Sequence, residues 1–121
     1  MNSQDSARLV RHSIEVSLSV PDELKLAALL HDMVEDKILS LDGIEDLKVR
    51  AIVDVLTRRS WETYADYIRR ILISGNKDAI TIKVADIQVN LKNPKTPTLV
   101  KRYQSALEQL TEVLPSPEVF Q

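Results

Sequence analysis

The chain has 121 residues, a net charge of −2 and no cysteine. That length fits a single domain with a modest core, and the missing cysteines exclude disulfides, thiolate metal sites and cysteine nucleophiles. Hydrophobic residues make up 44% and charged residues 28%, a globular balance with no positive excess to attract nucleic acid or an anionic membrane.

Other classes fall away on local pattern. No apolar run approaches membrane-spanning length, and the N-terminal MNSQDSARLVRH lacks the apolar stretch of a signal peptide. A cytoplasmic protein without a membrane partner is therefore expected. Two glycines are too few for a glycine-rich phosphate loop, and aromatic residues at 4% are too sparse for a nucleic-acid stacking platform.

A first helix is expected from a cap at Ser3 or Asp5 to about Val20, with Leu9, Val10, Ile14, Val16 and Leu18 as its buried stripe. It carries His12. Pro21 suits the first turn of a second helix, and Asp22 and Glu23 favour the positive end of its dipole. This helix holds LKLAALLHDMVED, Leu24 to Asp36, and ends near Asp36. Its first half is apolar on all sides, the pattern of a helix buried in the middle of a bundle. Four ionisable residues then come together. Helical spacing stacks His31 on Glu35 and Asp32 on Asp36. Two readings are open: a solvated last turn, or a buried polar cluster that a metal ion would explain.

Ser40 to Gly43 marks a turn, with Ser40 placed to cap a short helix through Asp46. Leu47 to Thr57 is β-branched enough for a strand, but no second strand-like run exists to pair with it, so helix is expected. Ser60 is the expected cap of the next helix, whose stripe is Trp61, Tyr64, Ala65, Ile68, Ile71 and Leu72. Ser74, Gly75 and Asn76 stop it. Lys77 to Leu91 follows, with Ile80, Val84, Ile87 and Leu91 on one face. Asn93 and Pro94 end it, and Pro97 opens a last helix from Thr98 to about Val113. Its inner side is Leu99, Tyr103, Ala106, Leu107 and Leu110. Residues 115–121 form a tail without regular structure. The sum is an all-α, single-domain bundle of about six helices.

Polar residues interrupt Lys83 to Leu91 as well. Asp86 and Asn90 lie four apart on one face. Asp86 could simply pair with Lys83 or cap a local group. Arg58-Arg59, Arg69-Arg70 and Lys101-Arg102 ordinarily mean solvated helix surface, and a phosphate clamp if any faces a site.

The order His12, His31-Asp32, Asp86, with AALLHDMVED (Ala27 to Asp36) and KVADIQVNL (Lys83 to Leu91), resembles the HD superfamily of metal-dependent phosphohydrolases. It is most similar to the RelA/SpoT-type (p)ppGpp hydrolase domain and small stand-alone alarmone hydrolases. The resemblance implies an HD-type bundle in which His12, His31, Asp32 and Asp86 hold a divalent metal: Mn²⁺ by preference, with Fe²⁺, Zn²⁺ or Mg²⁺ as alternatives. It implies that Glu35 and Asp36 position water and move protons. It also implies that Asn90 and Lys83 bind a small nucleotide or phosphoester substrate, and it leaves room for a homo-oligomer. Three departures stand out. Ser13 follows His12 where the family has proline. Ile87 follows Asp86 where it commonly has arginine. Arg8 and Arg11 are the only basic residues before His12. The metal and acid–base parts are retained while base recognition is reduced. The competing expectation is a non-catalytic HD-fold module that senses a nucleotide or binds a protein.

Overall fold

The computed structural model describes residues 3–93 and 95–114. Among them lie six α-helices and two 3₁₀ turns, with no strand. The helices are α1 (Ser3–Leu18), α2 (Lys25–Glu35), α3 (Leu47–Leu56), α4 (Tyr64–Ser74), α5 (Lys77–Leu91) and α6 (Pro97–Glu112). The all-α, single-domain expectation holds. None of the described helices is long and apolar enough to cross a membrane. Residues 1–2, Pro94, the tail at 115–121 and the side chains of residues 3–6 and Leu9 lie outside the described parts, and with them the expected cap at Ser3 or Asp5.

The centre of the bundle is α5, not α2. Helix α5 packs on α1, α3, α4 and α6. It is buried nearly all round, through Ala79, Ile80, Ile82, Ala85, Ile87 and Val89 together with Lys83 and Asp86. Helix α2 packs on α1 and α3 and leaves one side to solvent. Ala27, Ala28 and His31 are buried, whereas Leu26 is 56% exposed and Leu29 37%. An apolar run of leucines had suggested burial on every side, but only the alanine face of α2 is narrow enough to sit against its neighbours.

The inner face of α1 also differs from expectation. Val16 and Ser17 are buried, while Val10, Ile14 and Leu18 are exposed. Helical periodicity explains this. Positions 10, 14 and 18 form a row beside the row of His12 and Val16, and the polar row is the one turned toward α5.

Capping sets the starts. Pro21 precedes a 3₁₀ turn at Asp22–Leu24, so α2 begins only at Lys25. Ser40 leads into a 3₁₀ turn at Leu41–Gly43 with no side-chain cap, and Asp46 caps α3 by accepting from the Val49 N–H. Helix α4 is capped by Thr63 rather than Ser60. Thr63 and Asp66 exchange side-chain to backbone bonds as a capping box, which leaves Trp61 outside the helix and 80% exposed. Asn76 caps α5 and Thr96 caps α6, with Pro97 in its first turn.

Candidate functional site

Helix α1 packs on both α2 and α5. A cavity of about 640 Å³ opens there. Helix α1 contributes His12, α2 and its end contribute Asp32, Glu35 and Asp36, and α5 contributes Lys83, Asp86 and Asn90. Seven of the eight residues singled out in the sequence therefore line one cavity. The eighth, His31, lies buried behind it at 1% exposure.

The α1–α5 contact is direct. His12 Nε2 lies 2.6 Å from Asp86 Oδ1. Lys83 Nζ donates to Asp86 Oδ2 at 2.8 Å. Both carboxylate oxygens are thus engaged, and the pairing of Asp86 with Lys83 foreseen in the sequence is present. Burial opposes ionisation of Asp86, but the Lys83 charge and the His12 hydrogen bond outweigh it, and the carboxyl is held well below its usual range. Lys83 gains in return. Burial works against its charge, yet the neighbouring Asp86 carboxylate keeps it protonated. The hydrogen bond to Asp86 raises His12 above the ordinary histidine value.

The second group sits on α2. His31 Nε2 is 3.0 Å from Glu35 Oε1, one helical turn on, and His31 Nδ1 is 3.6 Å from Asp32 Oδ1. Burial pulls the His31 pKa down, while the Glu35 hydrogen bond and charge raise it further. Asp32 is pushed up mainly by burial, against the charge of His31 and a hydrogen bond from Ser13. That bond gives Ser13, where the resembled family has proline, a role in fixing the Asp32 carboxylate.

Two buried polar atoms here have no hydrogen-bond partner among the described residues: His31 Nδ1 and Asp32 Oδ2. Orphaned buried atoms of this kind are costly, and both are ordinary metal donors. Ligand atoms of His31, Asp32 and Glu35 lie within 4.8 Å of one another. The donor chemistry fits a divalent cation. The expected four-ligand set, however, is divided: His31 and Asp32 group with Glu35, while His12 and Asp86 are bonded to each other.

The rim is basic. Arg8 and Arg11 project from α1, and Lys95 comes from the α5–α6 connection. Arg8 and Arg11 were visible in the sequence as the turn before His12. Lys95 and Asn93 carried no signal, because they reach the cavity from a loop whose path only the fold sets. None of the three basic pairs lines this cavity. Arg70 instead binds Glu62 and the carbonyls of Val55 and Thr57, and Arg59 binds Asp54. No protein-family model, curated protein or solved structure matches the chain.

Proposed function

We propose that the chain is a cytoplasmic, metal-dependent phosphohydrolase of the HD type that cleaves a phosphoester or pyrophosphate bond of a small nucleotide, with (p)ppGpp as one candidate. One observation carries the reading. A cavity lined by His12, Asp32 and Asp86 is also lined by Arg8, Arg11 and Lys95, beside Glu15, and Asp32 and the neighbouring His31 each carry a buried metal-donor atom with no hydrogen-bond partner among the described residues. Carboxylates and imidazole suit a divalent cation, and the arginines and lysine suit phosphate.

In this reading His31, Asp32, His12 and Asp86 would hold the metal, preferably Mn²⁺. When bound, such a metal activates water and polarises a phosphoryl oxygen. Glu35 anchors His31 and, with Asp36, is placed at the cavity wall to accept a proton from water. Asn90 and the rim cations orient the phosphate. Lys83, at the cavity wall beside Asp86, would neutralise charge on the substrate.

The test joins metal analysis to a phosphate-release screen across nucleotides, with Asp32→Ala as control. The reading expects roughly one metal per chain, by its one-site geometry, and loss of both metal and turnover in the variant. A native protein without metal, whose Asp32→Ala form is equally stable, would sink it.

A second reading has its own support. Asp86 is fully satisfied by His12 and Lys83, so the cluster can stand as a non-catalytic module that binds a nucleotide without cleaving it. Retention of nucleotide with no release of phosphate or pyrophosphate would favour that module.

A further inference from the structure

A second cavity, of about 450 Å³, opens where the ends of α2 and α3 face the start of α4. Lys37, Thr57, Arg58, Tyr64 and Tyr67 line it, and it shares Glu35 and Lys83 with the first cavity. None of the roles assigned above draws on its own lining.

Its charge is positive. Lys37 and Arg58 face a single carboxylate, Glu35, which is already bonded to His31, while Lys83 is paired with Asp86. Arg58 donates to the main-chain carbonyl of Glu62, a neutral acceptor that leaves its charge uncompensated. Neither Lys37 nor Arg58 forms an ion pair among the described residues.

The rings do not offer a stacking surface. Arg102 lies 5.1 Å and Arg58 6.0 Å from the centre of the Tyr64 ring, which also meets Tyr67 and Tyr103 edge-on. Lys83 and Arg70 lie 5.0 and 5.7 Å from the Tyr67 ring. A base would have to displace these cations. The Tyr67 hydroxyl is already spent on the Leu56 carbonyl. The Tyr64 hydroxyl, by contrast, is buried and has no hydrogen-bond partner among the described residues. Burial pushes its pKa up, so it remains a donor.

The backbone adds a third observation. Lys37 sits at φ 61°, the one non-glycine residue at positive φ among those described. A lysine at this position is disfavoured relative to glycine, and such outliers gather at ligand clamps.

We propose that this second cavity is an oxyanion subsite that takes a phosphate group. Lys37 and Arg58 supply charge, the Tyr64 hydroxyl donates a hydrogen bond, and Lys83 links the subsite to the first cavity. The phosphate is either the far end of a ligand held in the first cavity or a free ion. The subsite needs no metal, so it stands whether or not the first cavity hydrolyses anything.

The test is an amide chemical-shift titration of the isotope-labelled full chain in chelator, with inorganic phosphate and, separately, with a series of linear diol bisphosphates. Phosphate is expected to give saturable shifts at Lys37, Thr57, Arg58 and Tyr64. Arg58→Ala should weaken that binding about tenfold, the worth of one charge-assisted hydrogen bond, and Arg58→Lys should retain most of it. Lys37→Gly should also weaken it while keeping a fully dispersed spectrum, which separates loss of binding from loss of fold. A bisphosphate that shifts both cavities and binds at least about tenfold tighter than phosphate assigns the group to the far end of one ligand. Equal affinities assign it to the free ion. Shifts confined to the first cavity, or unchanged affinity in Arg58→Ala, overturn the proposal.

Discussion

His12 and Asp86 stand 74 residues apart in the chain and meet at 2.6 Å, joining the first helix to the central one. The contact is more than a point of packing. Asp86 is the only counter-charge that Lys83 has among the described ion pairs, and both side chains are almost wholly buried. The α1–α5 junction therefore includes a largely buried three-residue polar chain, His12–Asp86–Lys83.

Removing the middle of that chain should be severe. Asp86→Ala leaves a buried ammonium unpaired and should cost about 3–5 kcal/mol in urea unfolding. The double variant Lys83→Met, Asp86→Leu removes charge on both sides and should recover most of the loss. A cost below about 1 kcal/mol for Asp86→Ala would mean that Lys83 escapes to solvent, since an exposed lysine needs no partner.

The histidines give the pH dependence its sign. His12 is raised by its hydrogen bond to Asp86, and His31 is raised by Glu35 against the opposing effect of burial. A raised histidine contributes stability that is complete below its unfolded pKa, about 6.5, and is lost as pH rises through the folded value. In chelator, the melting temperature should fall as pH rises above the unfolded histidine value of about 6.5, and His12→Gln should flatten part of that slope. Added Mn²⁺ should do the reverse, stabilising more as pH rises, because metal ligands must be deprotonated. A stabilisation by Mn²⁺ that is flat across this window would count against imidazole ligation.

Much of this was legible in the sequence. The helix Lys77–Leu91 has the boundaries its apolar spacing and flanking Ser74-Gly75-Asn76 predict. The pairing of Lys83 with Asp86 was one of the alternatives the sequence left open, and it is present. What was not legible depends on which face of a helix a neighbour covers. Val10, Ile14 and Leu18 are as apolar as any core row, yet the row beside them is buried because it bears the groups that meet α5. The leucines of α2 misled in the same way. Ser13, Asn93 and Lys95 reach the site through geometry that no local pattern encodes. The second cavity is formed where the ends of the consecutive helices α2 and α3 meet the start of α4 and Lys83 of α5, an arrangement that only their packing sets.

Arg70 tests how the α3–α4 connection is held. Its guanidinium binds the Glu62 carboxylate at 2.6 Å through Nε and closes the Val55 and Thr57 carbonyls at the end of α3. The Arg70 hydrogen bond, with a further one from the Arg59 N–H, holds Glu62 below its usual carboxylate range. Arg70→Ala should cost about 2 kcal/mol, and Arg70→Lys should not restore it, because a lysine cannot serve the carboxylate and both carbonyls in one plane. Chemical denaturation of the two variants measures this directly. Restoration by lysine would reduce the contact to simple charge.

Lys37 offers a case in which stability and binding should move in opposite directions. Helix α4 closes on Gly75 at φ 66°, the residue type that such a left-handed position favours. Helix α2 closes on Lys37 at φ 61°, with the Ile38 N–H bonded to the Met33 carbonyl and the Lys37 N–H to that of Val34. The hydrogen bonds are those of a glycine-terminated helix, with a lysine in the glycine's place. Left-handed backbone costs an L-residue about 1–2 kcal/mol, and glycine returns part of that through its greater freedom when unfolded. Lys37→Gly should therefore stabilise by about 0.5–1 kcal/mol and raise the melting temperature by about 3 °C. If the lysine is held there for its charge, the same variant binds phosphate more weakly. A variant that is both more stable and equally able to bind phosphate would show that the strained backbone at Lys37 serves no ligand.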